Sequence, residues 1–165
     1  MPQRYSFVIL FLIISCITVF SQSNEKITVN TIDKAKLYKL IKERKGKILF
    51  LNVWATWCIP CREEFPAIVK LADDYKNVEF VGISADFPDE VESKIIPFLR
   101  SVKVNYKNFV SGFSGDEELI NTLDEKWNGA LPATFIYDLK GNKQTVLAGK
   151  HSYDEFKIEI QKILK

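Results

Sequence analysis

Two cysteines three residues apart lie in the run Trp54-Ala55-Thr56-Trp57-Cys58-Ile59-Pro60-Cys61-Arg62-Glu63-Glu64-Phe65-Pro66. Such a pair suits thiol–disulfide exchange, in which a thiolate attacks a disulfide sulfur and a second thiol resolves the mixed disulfide. The run follows an apolar stretch that reads as a strand and opens one that reads as a helix, so Cys58 falls at or near a helix N-terminus. Free N–H groups and the helix dipole favour an anion there and lower the thiol's proton affinity. Arg62 adds positive charge, and Pro60 falls in the first turn, where a missing N–H costs nothing. Cys58, at the exposed start of the helix, is therefore the expected nucleophile, and Cys61, one turn further in, the shielded resolving thiol. A closed zinc site needs about four Cys or His ligands. The chain has one histidine, His151, and no second cysteine pair, so neither a metal nor another cofactor is expected.

The remaining cysteine, Cys16, lies in a different kind of segment. Arg4 is the only charged side chain in the first 24 residues, and Phe7 to Phe20 is almost continuously apolar. That length suits the apolar core of a signal peptide better than a membrane span. Residues 1–21 are read as a signal peptide ending at Ser21, 22–26 as a polar linker and 27–165 as one domain. Two other readings stand. Ile13-Ile14-Ser15-Cys16 resembles a lipobox, which would make the segment a lipoprotein signal, and an uncleaved membrane anchor is the third. All three export the domain, to a bacterial periplasm or cell envelope. Once Cys16 is removed, Cys58 and Cys61 are the only cysteines left, and they close a loop too small to constrain the unfolded chain. Chemistry explains them better than stability does. A 47% hydrophobic, 27% charged chain of 165 residues with net charge +2 is ordinary for a globular domain. Its interleaved charges give no reason to expect nucleic acid as a partner.

The elements that must position the pair follow from periodicity. Ile27–Ile32 reads as a strand, Asp33–Lys45 as a helix stopped by Gly46, and Lys47–Trp54 as a strand buried on both faces. A helix is expected from the cysteines to about Lys76, with a kink at Pro66. Val78–Ser84 reads as a second buried strand, Asp89–Val102 as a helix kinked at Pro97, Tyr106–Val110 as a short strand and Asp116–Trp127 as a helix. Thr134–Asp138 and Gln144–Ala148 form a hairpin about Lys140-Gly141-Asn142, and Ser152–Lys165 a final amphipathic helix. The fold class is α/β: a mixed sheet with a parallel start and an antiparallel end. Trp54 is expected in or near the core, Trp57 on the surface and His151 in a solvated or capping role.

The motif, its place after an apolar strand, and Leu131-Pro132-Ala133-Thr134 downstream resemble the thioredoxin superfamily, and within it the TlpA/ResA-like branch of exported thiol–disulfide oxidoreductases. The resemblance covers about residues 27–165. It implies a thioredoxin-like fold, a central mixed sheet flanked by helices, with an extra helix–strand insertion (89–110) before the cis-proline segment. It implies a redox disulfide Cys58–Cys61 and a cis-proline at Pro132 beside it, with Leu131 touching the client through its backbone. Trp57, Ile59 and Pro60 are expected on the client-facing surface. Glu64 matches the branch's buried glutamate. At i+3 from Cys61 it shares that residue's helix face and could exchange a proton with it. Asn52 stands where classical thioredoxins carry a buried aspartate, so proton handling falls to Glu64 or water. Ala133 stands where the family often has Thr.

The implied activity is reduction of protein disulfides in a monomer. The CxxCH segments of apocytochromes c are among the clients of such proteins, and a membrane electron donor of the DsbD/CcdA type keeps them reduced. Two other thioredoxin-fold functions fit the motif less well. A copper-binding chaperone of the Sco type uses CxxxC plus a distal His, one residue longer than the spacing here. A thiol peroxidase wants its cysteine in a Thr-x-x-Cys setting, which Thr56-Trp57-Cys58 does not supply.

Overall fold

The computed structural model describes residues 27–43 and 46–165. The expected signal and linker segments (1–26), and the end of the first helix at 44–45, lie outside them. In chain order the elements are β1 (Asn30–Ile32), α1 (Lys34–Glu43), β2 (Ile48–Trp54), α2 (Ile59–Asp74) and β3 (Val78–Ser84). After a 3₁₀ turn at Pro88–Glu90 and a π-helical turn at Val91–Ile95 come α3 (Ile96–Ser101), β4 (Lys107–Ser111) and α4 (Asp116–Leu123). The hairpin β5 (Ala133–Tyr137) and β6 (Lys143–Ala148) precedes α5 (Tyr153–Leu164).

The six strands form one sheet in the order β1-β4-β3-β2-β5-β6. β1, β4, β3 and β2 are mutually parallel, whereas β5 and β6 are antiparallel to their neighbours. β2 sits between β3 and β5 and is buried along its whole length, which is why it reads as a continuous apolar run. Its side chains alternate between faces. Leu49, Leu51 and Val53 join the core under α1 and α4, with Leu37, Ile41, Leu119 and Leu123. Ile48 and Phe50 pack with Ile68 and Leu71 of α2 and Phe156 and Ile160 of α5, and Trp54 with Phe65 and Leu99. Asn52 has the same parity as Phe50 and Trp54, so the one polar residue of β2 points toward α2.

Four boundaries depart from the sequence expectation. The first strand is confined to Asn30–Ile32, the part that pairs with β4. Asp89–Val102 is not one regular α-helix: a π turn at Val91–Ile95 runs directly into α3, with helical backbone at Ile95 and Ile96, and Pro97 stands in the first turn of α3. The helix expected to reach Trp127 ends at Leu123. Trp127 instead anchors the following loop, its Nε1 donating to the Ala130 carbonyl at 3.0 Å. α2 runs on through Pro66 and ends at Asp74, two residues early; Pro66 is exposed, so the carbonyl it leaves unbonded can be hydrated.

Candidate active site

Parallel strands β2 and β3 end in register at Trp54 and Ser84, and the loops beyond them carry the reactive pair. Ala85 N–H donates to the Trp54 carbonyl at 2.7 Å, tying the two loops together. The stronger tie is Asp86, a carboxylate only 2% exposed. It accepts from Thr56 N at 2.8 Å and Thr56 Oγ1 at 2.6 Å, and from Ser84 Oγ. Thr56 stands two residues before Cys58, so Asp86 fixes the approach of the chain to the helix.

Cys58 is the N-cap of α2: its backbone is extended and its Sγ accepts from Cys61 N at 3.2 Å. That N–H is one of those at a helix start with no intrahelical acceptor. In the dithiol form the same group and the helix dipole favour a thiolate at Cys58. Cys58 and Cys61 are joined in a disulfide with Cα atoms 5.3 Å apart. Cys61 is fully buried and Cys58 retains 5% exposure. Cys58, the expected nucleophile, is thus much less open than the exposed helix start expected from sequence.

The surface around that opening is apolar. Trp57 is 66% exposed, and Ile59 and Phe87 are similarly bare; Pro60 is also exposed. Beside Trp57 lies a cavity of about 260 Å³ lined by Ile120, Trp127, Gly129 and Leu131 among others. The Leu131–Pro132 peptide bond is cis. Leu131 packs against the cluster that contains both cysteines, and the Pro132 carbonyl accepts from Gly149 N at 2.8 Å. Trp54 is wholly buried. Its ring packs edge-on to Phe65 at 4.7 Å, and its Nε1 donates to Asn108 Oδ1 at 3.1 Å. Gly82 makes room for that bond: a Cβ there would stand 1.9 Å from Asn108 Oδ1.

One turn beyond Cys61, Glu64 is 2% exposed. Asn52 Nδ2 donates to its Oε1 at 2.9 Å and to Thr134 Oγ1 at 3.1 Å, Thr134 lying directly across the sheet from Asn52. The backbone N–H of His151 donates to Oε2 at 3.3 Å. Burial raises the Glu64 pKa from 4.5 to about 7, against the opposing pull of Asn52, His151 N–H and the charge of Lys150. Tyr106, whose buried hydroxyl has no hydrogen-bond partner among the described residues, is pushed up by burial and by the Glu64 charge. Glu63, by contrast, is exposed and pairs with Lys150 at 2.6 Å.

The chain matches the AhpC/TSA family over residues 21–144. It is 30% identical to the thiol–disulfide oxidoreductase ResA of Bacillus cereus over 125 residues, covering 74% of this chain and 67% of that one. It is 31% identical to the thiol:disulfide interchange protein HelX of Rhodobacter capsulatus over 123 residues, covering 73% and 63%. The chain belongs to the AhpC/TSA family, on its thiol–disulfide oxidoreductase branch. Among solved structures, a thioredoxin-related protein from Neisseria meningitidis serogroup B superposes with a TM-score of 0.62 at 27% identity, covering 73% of this chain and 87% of that one. The fold is thioredoxin-like, as the resemblance implied, with α3 and β4 forming the expected insertion.

Sequence reasoning missed the contribution of two segments. Asp86 contacts Thr56 across thirty residues, and its only local signal is its place just after a buried strand. His151 was expected in a solvated or capping role. The cap of α5 is Ser152, whose Oγ accepts from Glu155 N, while His151 is half-buried and turns its N–H to Glu64.

Proposed function

We propose that the protein is exported and reduces disulfides in other proteins, cycling between the Cys58/Cys61 dithiol and the disulfide. The observation that carries this reading is the pairing of a helix-capping Cys58 with Glu64, a buried carboxyl that titrates near neutrality one turn beyond Cys61. In the dithiol form the Cys58 thiolate attacks a client sulfur. The client S–S bond breaks, a client thiolate leaves and a mixed disulfide forms. Cys61 then gives its proton to the Glu64 carboxylate and attacks Cys58 Sγ, releasing the second client thiolate and leaving Cys58–Cys61 oxidised. Two electrons pass from enzyme to client. Glu64 acts best with a pKa near the working pH, because both of its protonation states are then populated.

Trp57, Ile59, Pro60, Leu131 and the flanks of Pro132 form the client-facing surface. The bareness of Trp57 and Ile59, and the cavity between Trp57 and Leu131, support that assignment. Residues 27–165 are the working domain, preceded by the export signal at 1–21 and the linker at 22–26. Among the described residues no helix is long and apolar enough to cross a membrane. The clients are disulfide-bearing proteins, apocytochrome c CxxCH segments among them, and electrons return from a membrane donor of the DsbD/CcdA type. Likeness to ResA, a thiol–disulfide oxidoreductase, and HelX, a thiol:disulfide interchange protein, supports thiol–disulfide exchange as the activity.

The Cys61→Ser variant should accumulate mixed disulfides with clients, whereas Cys58→Ser should neither trap nor reduce them. Reduction by Cys58→Ser at the wild-type rate would overturn the nucleophile assignment. A measured potential as oxidising as about −120 mV would overturn the reductase direction.

A further inference from the structure

Between β6 and α5, three consecutive residues each touch a different part of the site. Gly149 N donates to the Pro132 carbonyl at 2.8 Å. Lys150 Nζ meets Glu63 Oε2 at 2.6 Å, and His151 N donates to Glu64 Oε2 at 3.3 Å. Gly149 takes a positive φ of 88°, a conformation that costs glycine little and other residues more. We propose that Gly149–His151 is a positioning strap that holds Glu64 beside Cys61 and, through the Glu63–Lys150 pair, sets how readily Glu64 takes up a proton. The inference rests on the reading of Glu64 as the proton partner of Cys61.

The geometry makes the strap's two actions separable. The His151 N–H is a fixed neutral donor that favours the carboxylate. The Lys150 ammonium is a charge whose pull on Glu64 is offset by its own partner, Glu63. Both members of that pair are about half exposed, so their leverage is modest. The other charged or titratable groups around Glu64 are Tyr106, the His151 imidazole and, once reduced, Cys61. The His151 ring packs on Phe156 and its Nδ1 lies 3.8 Å from Glu155 Oε1.

The test is a carbon-detected NMR titration of the Glu64 carboxyl in the oxidised protein, with the signal assigned by its loss in Glu64→Gln. Lys150→Met should raise the midpoint by about half a pH unit and Glu63→Gln should lower it by a similar amount. Each substitution breaks the same ion pair, so a merely structural role moves both midpoints the same way and overturns the proposal. The His151 amide signal should titrate with the Glu64 midpoint and stop doing so in Glu64→Gln. The same behaviour in His151→Gln separates it from imidazole titration. A wild-type midpoint near 7 that neither variant moves overturns the strap alone. A wild-type midpoint near 4.5 overturns the Glu64 reading and the strap with it.

Discussion

Two buried carboxylates flank the cysteine pair, equally removed from solvent and put to different uses. Asp86 accepts three hydrogen bonds, two from Thr56 on the loop after β2 and one from Ser84 at the end of β3. Glu64 accepts one from a side-chain amide and one from a backbone N–H, and burial outweighs both. Equal burial therefore does not imply equal function. On the proposed reading, a carboxylate whose three donors tie the ends of two strands together is a latch, and one whose two donors are outweighed by burial is placed to exchange a proton. On that same reading the latch aims Cys58 and the proton site serves Cys61.

The largest effect should come from opening the latch. Asp86→Ala leaves the Thr56 N–H and hydroxyl and the Ser84 hydroxyl without their acceptor, at a cost of about 3 to 4 kcal/mol in denaturant unfolding. Client reduction should fall by about tenfold or more at every pH, with the shape of the pH profile unchanged. A changed shape would make Asp86 a proton site and erase the contrast.

Next comes the pH dependence of stability, which isolates Glu64. Its native pKa lies above the unfolded value, so the native state binds more protons between pH 4.5 and about 7. Stability contributed by the protonated form is fully present below pH 4.5, declines as pH rises and levels off above about 7. Over that window the oxidised wild type should lose about 3 kcal/mol relative to Glu64→Gln, which has no such ionisation. Parallel stability curves for the two proteins would mean that folding does not change the proton affinity of Glu64, leaving it no more than a buried hydrogen-bond acceptor.

The unequal legibility of the two carboxylates follows from how each is held. Glu64 was visible because an i, i+3 spacing on a helix is local: once Cys61 is inward, Glu64 is too. Asp86 was not, because its partner Thr56 is brought to it by the parallel pairing of β2 with β3, a non-local fact. The apolar runs of β2 and β3 announced buried strands but hid which residues face α2. Asn52, polar in the middle of such a run, was the clue that a buried polar partner waits there. Pro97 announced an irregularity, yet a proline can kink a helix or open a new one, and only packing chooses. Backbone donors such as His151 N–H leave no trace in side-chain identity.

The smallest effect, and the sharpest on the contrast, should come from Asn52→Ala. Removing Nδ2 takes from Glu64 the strongest of the groups that favour its charged form and leaves Thr134 Oγ1 without that donor. Loss of one such bond is worth about 1 kcal/mol, so the Glu64 midpoint should rise by a little under one pH unit. The pH dependence of mixed-disulfide resolution should move with it, while the Asp86 latch, which shares no partner with Asn52, stays closed. Thermal unfolding of the same variant at pH 4, where Glu64 is protonated in both states, separates the hydrogen bond's structural worth from its effect on the proton. A midpoint that stays near 7 would show that Asn52 does not set the Glu64 proton affinity, and Asn52 would then serve the sheet rather than the chemistry.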